Sequence, residues 1–240
     1  MCNTYVYYYN FLSPHLQRVY SNVLEALRSH TKNVAVPFIT TPEMESVINY
    51  IVLDHPLISF FDEYKYIFFQ ECVCGIEFKY LLGDDTQAFI NKEIIAQANK
   101  ITDYARLKGD DPVLQIKAIH EFFTKRVKYC TESNYAFNAI GPLLFGKGVC
   151  IGISASFKLL LDLLDTNINC ISVSGKYEGE AHAWNLVYYN GQWHPFDLTA
   201  SVCLSKDGCY SFEGFCKLYY PEKYTTDGDI PLPKYYDGDS

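Results

Sequence analysis

Residues 146–165, GKGVCIGISASFKLLLDLLD, decide the fold, because a glycine-rich turn leads directly into a helical repeat of apolar side chains. The apolar positions at helical spacing are Phe157, Leu160, Leu161 and Leu164. We therefore expect Cys150 at the start of a helix, where unpaired backbone amides and the helix dipole stabilise a thiolate. Gly148 and Gly152 flank it, so a substrate carbonyl could approach the backbone and accept a hydrogen bond from the Cys150 amide.

Residues 181–199, AHAWNLVYYNGQWHPFDLT, predict a β-hairpin whose turn is Asn190 and Gly191. Counting outward from this turn brings Asp197 close to His182 on the neighbouring strand. A carboxylate in that place would orient the imidazole and stabilise its protonated form.

Cys150, His182 and Asp197 together offer the nucleophile, the base and the orienting group that covalent acyl transfer needs. Each residue alone has a simpler interpretation, as a buried cysteine, a core histidine or a turn-forming aspartate. The combination favours the enzymatic interpretation, because each residue lies where its role would require it.

Other elements follow from apolar periodicity and from capping signals. Helices are predicted over 13–29, from Thr41 to the His55–Pro56 pair, over 84–108 and over 112–129. A short hairpin is predicted between Lys65 and Leu82, with a break near Cys74 and Gly75. Later strands are predicted over 168–173, 181–189 and 192–198, so the order of elements predicts an α+β fold.

Gly109 to Pro112 is turn-forming sequence and the best candidate for a domain boundary. We therefore expect a mostly helical N-terminal extension with a short hairpin over 1–109, and a catalytic domain over 110–240.

The composition bounds the class of protein. The 240 residues are 49% hydrophobic and 20% charged, which allows a sizeable core and excludes a disordered or fibrous chain. The net charge is −8, with scattered basic residues, so nucleic acid is not expected as a partner.

The cysteines favour neither a disulfide framework nor a metal site. Their number, 9, is odd, and no pair has the CxxC spacing. Cys203, Cys209 and Cys216 are close in sequence, but their spacing matches no common zinc pattern and no histidine is near. We expect no metal site.

The N-terminal sequence MCNTYVYYYNF lacks the features of a secretory signal. No apolar run approaches the roughly 18 residues that a membrane-spanning helix needs. We therefore expect a cytoplasmic protein that does not insert into membranes.

The two motif-bearing stretches resemble the transglutaminase-like superfamily, specifically its bacterial peptidase-like branch. GKGVCIG at 146–152 and FKLLLD at 157–162 are similar to the family's nucleophile helix, and HAWN at 182–185 follows in the family's order. Lys128 and Tyr129 resemble the family's run into the active-site loop. Further matches are Gly191, Trp193, Asp197 and Thr199. The resemblance covers about residues 110–200.

This resemblance implies a papain-like core in which Cys150 is the nucleophile, His182 the base and then the acid, and Asp197 the orienting residue. It implies acyl transfer through a thioester, with water or an amine as acceptor. No cofactor is expected, and no acidic loop has a spacing that would indicate calcium.

Supporting roles for other residues are open. Trp184 and Trp193 would either wall the site and shield the His–Asp contact from water or pack in the core. Asn185 would orient a loop by hydrogen bonding, and Tyr135 and Asn138 would donate to the oxyanion.

The sequence also departs from the family pattern. Ile151 and Ile153 replace a polar or acidic residue and an aromatic residue, and Phe137 and Asn138 replace a polar pair before the loop glycine. These differences concern substrate recognition and the oxyanion donor, whereas the three central residues are present.

Three functions are consistent with the sequence. The first is a cysteine peptidase or amidase acting on a peptide or side-chain amide of a peptide or protein substrate. The second is a protein-glutamine transglutaminase, in which a lysine amine replaces water. The third is a peptide-binding module that keeps the fold without turnover.

Overall fold

The computed structural model describes residues 4–58, 61–164, 168–205, 212, 219–227 and 230–235. It has the α+β architecture predicted above, with helices and antiparallel sheets. The chain divides into two compact units, residues 6–91 and residues 92–240 together with 1–5. This division lies within a helix, and the turn at 109–112 lies inside the second unit. The domain boundary proposed at 109–110 therefore stays a prediction.

Residues 6–91 contain helices on one face of a three-stranded sheet. The elements are a 3₁₀ turn (Tyr8–Phe11), α1 (Pro14–Arg28), β1 (Asn33–Ile39), α2 (Thr41–Asp54), β2 (Phe61–Phe69), β3 (Cys72–Tyr80) and the start of α3 (Asp84–Arg106). Ser13 caps α1, and Thr40 and Glu43 form a capping box on α2. The strand order is β1-β3-β2, and the core lies between the sheet and the first two helices.

Two predictions for this unit are corrected. The hairpin turns at Gln70 and Glu71 rather than near Cys74, and Gly75 lies within β3, where backbone of β1 leaves little room for a side chain. β1 was not predicted; it contains Pro37, which this edge strand accommodates because the pairing with β3 is irregular between Ala35 and Ile39.

Asp54 holds the start of this unit in place. Its buried carboxylate accepts hydrogen bonds from the amides of Tyr7, Tyr8 and Tyr9, at 2.8, 3.1 and 3.1 Å. The hydroxyl of Tyr20 donates to the same carboxylate at 2.9 Å. Four donors satisfy a buried charge that would otherwise be costly, so the end of α2 fixes the path of the first residues.

The second unit places one helix on an antiparallel sheet. After α3 come α4 (Pro112–Arg126), β4 (Lys128–Tyr129), a π-helical turn (Gly141–Phe145), β5 (Lys147–Gly148), α5 (Cys150–Leu164), β6 (Asn169–Tyr177), β7 (Glu180–Tyr189), β8 (Gln192–Phe196), α6 (Leu198–Leu204), a 3₁₀ turn (Pro221–Lys223) and β9 (Tyr224–Thr226). The sheet has the order β8-β7-β6-β9, and α5 packs against β6 and β7. The short strands β4 and β5 pair in parallel.

The predicted helix after Cys150 is confirmed as α5, which is apolar on almost every side. Ile153, Phe157 and Leu160 are fully buried, as a helix surrounded by other elements requires. No helix in the described residues is long and apolar enough to cross a lipid bilayer.

The structure also differs from the predicted ends of two elements. The helix predicted to reach residue 129 ends at Arg126, and Tyr129 belongs to β4. The strand predicted to reach residue 198 ends at Phe196, because Asp197 caps the helix α6, which was not predicted.

One ion pair is enclosed on the side of α5. Lys158 and Asp162 are four residues apart, their side chains are 0% and 2% exposed, and Nζ lies 2.9 Å from Oδ2. The Lys158 ammonium also donates to the Tyr5 carbonyl at 2.8 Å, and the Tyr5 amide donates to Asp162 at 3.4 Å. The pair therefore binds both backbone polar groups of one residue, Tyr5, near the N-terminus.

Replacing Lys158 by Met should lower the free energy of unfolding of this unit by about 3–5 kcal/mol, because the Asp162 carboxylate would stay buried without its cation. Urea unfolding followed by tryptophan fluorescence measures it selectively, since both tryptophans, Trp184 and Trp193, lie in residues 92–240. The exposed Lys117→Met is the control and should change stability by less than about 0.5 kcal/mol. Equal stability of the two variants would contradict the prediction.

Candidate active site

The β7–β8 hairpin brings His182 and Asp197 into contact. β7 and β8 pair with Asn185 opposite Phe196, so the residue after β8 lies beside the start of β7. His182 Nε2 is 2.7 Å from Asp197 Oδ2, and the two side chains are 14% and 2% exposed. A short contact to a buried carboxylate orients the ring and leaves Nδ1 for a second partner.

Cys150 supplies that second partner. It is the first residue of α5 and is partly exposed. Burial raises the pKa of its thiol, but the hydrogen bond and charge of His182, with the amides of Ala183 and Ile151, outweigh burial and bring the pKa below its ordinary value. The sulfur is therefore held where the thiolate is stabilised.

The pKa of the His182 imidazole shifts in the opposite direction, above its ordinary value. Burial lowers the pKa of His182, but Asp197 and Cys150 outweigh it through hydrogen bonds and charge and raise the pKa to about 9. A thiol of lowered pKa beside an imidazole of raised pKa favours the thiolate–imidazolium ion pair near neutral pH, and the two titrations belong to the pair. Such a pair can attack an acyl carbon and then deliver a proton to the leaving group.

Asp197 is held by more than His182. Its Oδ1 accepts from the amide of Ala200 at 2.9 Å, which makes Asp197 the N-cap of α6. Its Oδ2 also accepts from the hydroxyl of Tyr224 at 2.7 Å. Sequence reasoning missed Tyr224, because β9 is three residues long and lies far along the chain from the hairpin.

Tyr129 is a second residue that sequence reasoning left without a role. It lies on β4 opposite Gly148, two residues before Cys150, and the charges of the Tyr129 and Cys150 side chains interact. Burial raises the pKa of Tyr129, as do the charges of Cys150 and Cys203, so the phenol stays a donor near neutral pH. The sequence did carry a signal for Tyr129, because Lys128 and Tyr129 resemble the family's run into the active-site loop.

Gly148 and Gly152 lack side chains, and neighbouring segments of the chain occupy the space that a side chain would need. A Cβ at Gly152 would collide with the carbonyl oxygen of Ala136, and one at Gly148 would lie 2.5 Å from Cγ of Pro142. The Val149 amide donates to the same Ala136 carbonyl at 3.0 Å. The two glycines thus let the loop before the π-helical turn pack against the first turn of α5.

Tyr135 and Asn138 shape this loop. The Tyr135 carbonyl accepts from the Gly141 amide at 3.0 Å, and its ring stacks on Phe145 at 5.6 Å between centroids. Asn138 is buried, and its Oδ1 accepts from the Ile140 amide at 3.0 Å. Their proposed donation to an oxyanion stays a prediction.

Asn185 lies on the side of β7 that packs on α5, where its amide nitrogen donates to the carbonyls of Ser154 and Ile171 at 3.2 and 3.3 Å. These bonds tie α5 to the sheet and thereby fix Cys150 relative to His182. Ser154 completes the connection, since its hydroxyl donates to the Trp184 carbonyl at 2.9 Å.

The two tryptophans occupy different places. Trp184 is 2% exposed and stacks on His182, with 6.1 Å between ring centroids, so it forms a wall of the site. Trp193 contacts Tyr5 and Tyr188 near the other end of the hairpin, and the structure does not bring it to His182.

Within the described part of the chain, no group of three or more His, Cys, Asp or Glu side chains is arranged to hold a metal ion. Cys203 is described, whereas Cys209 and Cys216 lie outside the described residues.

Comparison with known proteins finds one family model that matches part of the chain. The family model of the transglutaminase-like superfamily matches residues 99–198, which include Cys150, His182 and Asp197. No curated protein is similar enough in sequence to count as a match.

Two solved structures are similar over part of the chain. One is the crystal structure of a TGase, with 15% identity and a TM-score of 0.39 over 72% of this chain and 52% of that one. The other is a protein from Cytophaga hutchinsonii to which cysteine-protease activity is ascribed, with 16% identity and a TM-score of 0.36 over 57% of this chain and 61% of that one. The chain thus spans about half to three-fifths of these proteins, and at these TM-scores they say nothing about its activity.

The ion pair predicts selective alkylation of Cys150 by iodoacetamide. At about pH 6, Cys150 should react at least about tenfold faster than Cys74, because His182 stabilises the thiolate of Cys150 and lies in the other unit from Cys74. His182→Ala should remove this advantage, since its imidazolium no longer stabilises the thiolate. Peptide mass spectrometry at several pH values measures both rates.

Cys170 provides the control for folding in the same experiment, because it is fully buried and should stay unmodified in each folded variant. Equal rates at Cys150 and Cys74 in the folded wild type would contradict the ion pair.

Proposed function

We propose that the chain is a cysteine enzyme that hydrolyses a peptide bond or a side-chain amide, and the match of residues 99–198 to the model of the transglutaminase-like superfamily supports this. Cys150 is the nucleophile, His182 the proton carrier and Asp197 the orienting residue. The observation that supports the proposal best is the 2.7 Å contact of His182 with Asp197 beside a thiol whose pKa is lowered.

Acylation begins when the Cys150 thiolate attacks the amide carbonyl carbon, which forms a C–S bond and an oxyanion. The His182 imidazolium then gives its proton to the leaving nitrogen, the C–N bond breaks, and an amine or ammonia leaves. The Asp197 carboxylate holds the ring during this transfer and stabilises its charged form before the proton moves.

Deacylation runs the same steps with water. Neutral His182 takes a proton from water, the hydroxyl attacks the thioester, and the C–S bond breaks to release a carboxylic acid and the thiolate. The proton stays on His182, so the ion pair is restored for the next cycle.

Two donors are available for the oxyanion. The Cys150 amide belongs to the first turn of α5, where amides lack a partner within the helix, and Tyr129 lies on β4 opposite Gly148, near Cys150. A hydroxyl at this place would replace the polar side chains that the sequence lacks around Cys150.

An amine in place of water would make the same thioester the donor for transamidation, so the assay must distinguish the two acceptors. The chain is incubated with a proteome-derived peptide library in the presence and absence of glycine ethyl ester, and the products are identified by mass spectrometry. Cleaved or deamidated peptides indicate hydrolysis, amine adducts indicate a transglutaminase, and unchanged peptides indicate a binding module. The last two outcomes contradict the proposed hydrolysis.

Substitutions test the roles once a product is found. Cys150→Ser should abolish turnover, because an alcohol at this position is not ionised by the imidazole. Asp197→Asn should reduce kcat by about 10²- to 10⁴-fold with little change in KM, since the ring loses the charge that stabilises its protonated form.

Cys74→Ser, in the other unit, is the matched control and should leave both constants unchanged. Full activity of Cys150→Ser would exclude the thioester mechanism.

A further inference from the structure

Tyr224 occupies a buried position behind the His182–Asp197 pair. Its ring is 7% exposed, stacks on Tyr219 at 4.3 Å and meets Trp184 edge-on at 5.0 Å between centroids. The rings hold the phenol in one orientation, with its hydroxyl directed at the Asp197 carboxylate.

That hydroxyl shares one oxygen with the imidazole. Asp197 Oδ2 accepts from Tyr224 Oη and faces His182 Nε2, each at 2.7 Å. The other oxygen, Oδ1, accepts from the Ala200 amide. Oδ2 must therefore divide its negative charge between a neutral donor and the imidazole ring.

We propose that Tyr224 is a positioning residue that limits how strongly Asp197 holds the His182 proton. This rests on the function proposed above and deepens it. Hydrogen bonding to the carboxylate stabilises its negative charge and weakens it as an acceptor for the imidazolium. His182 consequently releases its proton to a leaving group more readily than it would with an unshared carboxylate.

The phenol itself remains a donor. Burial raises the pKa of Tyr224, as do the charge of Asp197 and its hydrogen bond, so the hydroxyl keeps its proton throughout the neutral range. Tyr224 therefore does not exchange protons in the cycle and acts only through Asp197.

A short strand delivers Tyr224 to this place. β9 pairs antiparallel with the end of β6, with Tyr224 opposite Tyr177 and Thr226 opposite Gly175. A Cβ at Gly175 would collide with the carbonyl oxygen of Thr225, so only glycine lets β9 approach this closely. Gly175 also pairs with His182 on β7, so β6 lies between the strand of the imidazole and β9.

Other titratable groups face the pair and must be followed in any pH experiment. Those on elements packed against it are Cys150 on α5, Tyr177 on β6, Cys203 on α6, Tyr219 before β9 and, through Cys150, Tyr129 on β4. Lys223 lies over the Tyr177 ring at 5.7 Å and pairs with Glu178 at 2.8 Å.

The experiment is an NMR titration of His182 in the full chain labelled at its histidine rings, with the resonance assigned from His182→Ala. In Tyr224→Phe the pKa of His182 should rise by about half a unit to one unit, the size expected for loss of one neutral hydrogen bond to the carboxylate. Tyr219→Phe is the matched control, because it removes a neighbouring hydroxyl that contacts Tyr235 instead of Asp197.

A pKa of His182 that stays within about 0.2 units of wild type in Tyr224→Phe, or that falls, would overturn the proposal. Tyr224→4-fluorophenylalanine gives a second test if Tyr224→Phe does not fold, because the fluorine fills the space of the hydroxyl without donating a hydrogen. It should raise the pKa of His182 in the same direction, whereas Gly83→Ala, where nothing meets the added Cβ, should not change it.

The titration is independent of turnover. If Cys150 is not selectively alkylated in the wild type, the proposed function fails even where Tyr224→Phe shifts the pKa of His182. If Cys150 is reactive and the pKa does not respond to Tyr224→Phe, only the role of Tyr224 fails.

Discussion

The geometry of the site depends on the contacts that the Asp197 carboxylate makes. One oxygen caps α6, and the other faces both His182 on β7 and Tyr224 on β9. The charge is 2% exposed, so it needs these partners, and the partners in turn fix three elements relative to one another. The packing that stabilises the fold therefore also holds the ring of His182 in place.

A second constraint fixes the sulfur. α5 is enclosed by other elements, and polar side chains on its inner side, such as Ser154, bond to the backbone of β7. Gly152 allows the preceding loop to press against the first turn of the helix. Cys150 therefore has little freedom to move away from the imidazole, which stabilises its thiolate.

The central part of the site could be predicted because its signals are local. A glycine-rich turn and an apolar repeat place Cys150 at a helix start, and a two-residue turn sets the register that brings Asp197 to His182. The strand β1 and the helix α6 were missed for a different reason. Pro37 weakens the strand signal, and α6 is so short that its stability comes from the cap and from packing rather than from periodicity.

The sequence by itself determined the α+β order, the helix that begins at Cys150 and the three residues proposed for catalysis, because each depends on local spacing along the chain. Only the tertiary structure decided that Tyr224 shares the Asp197 carboxylate, that β4 places Tyr129 opposite Gly148, and that Trp193 lies away from His182. These contacts join segments distant in the chain or depend on strand twist and side-chain packing, and neither composition nor periodicity carries that information.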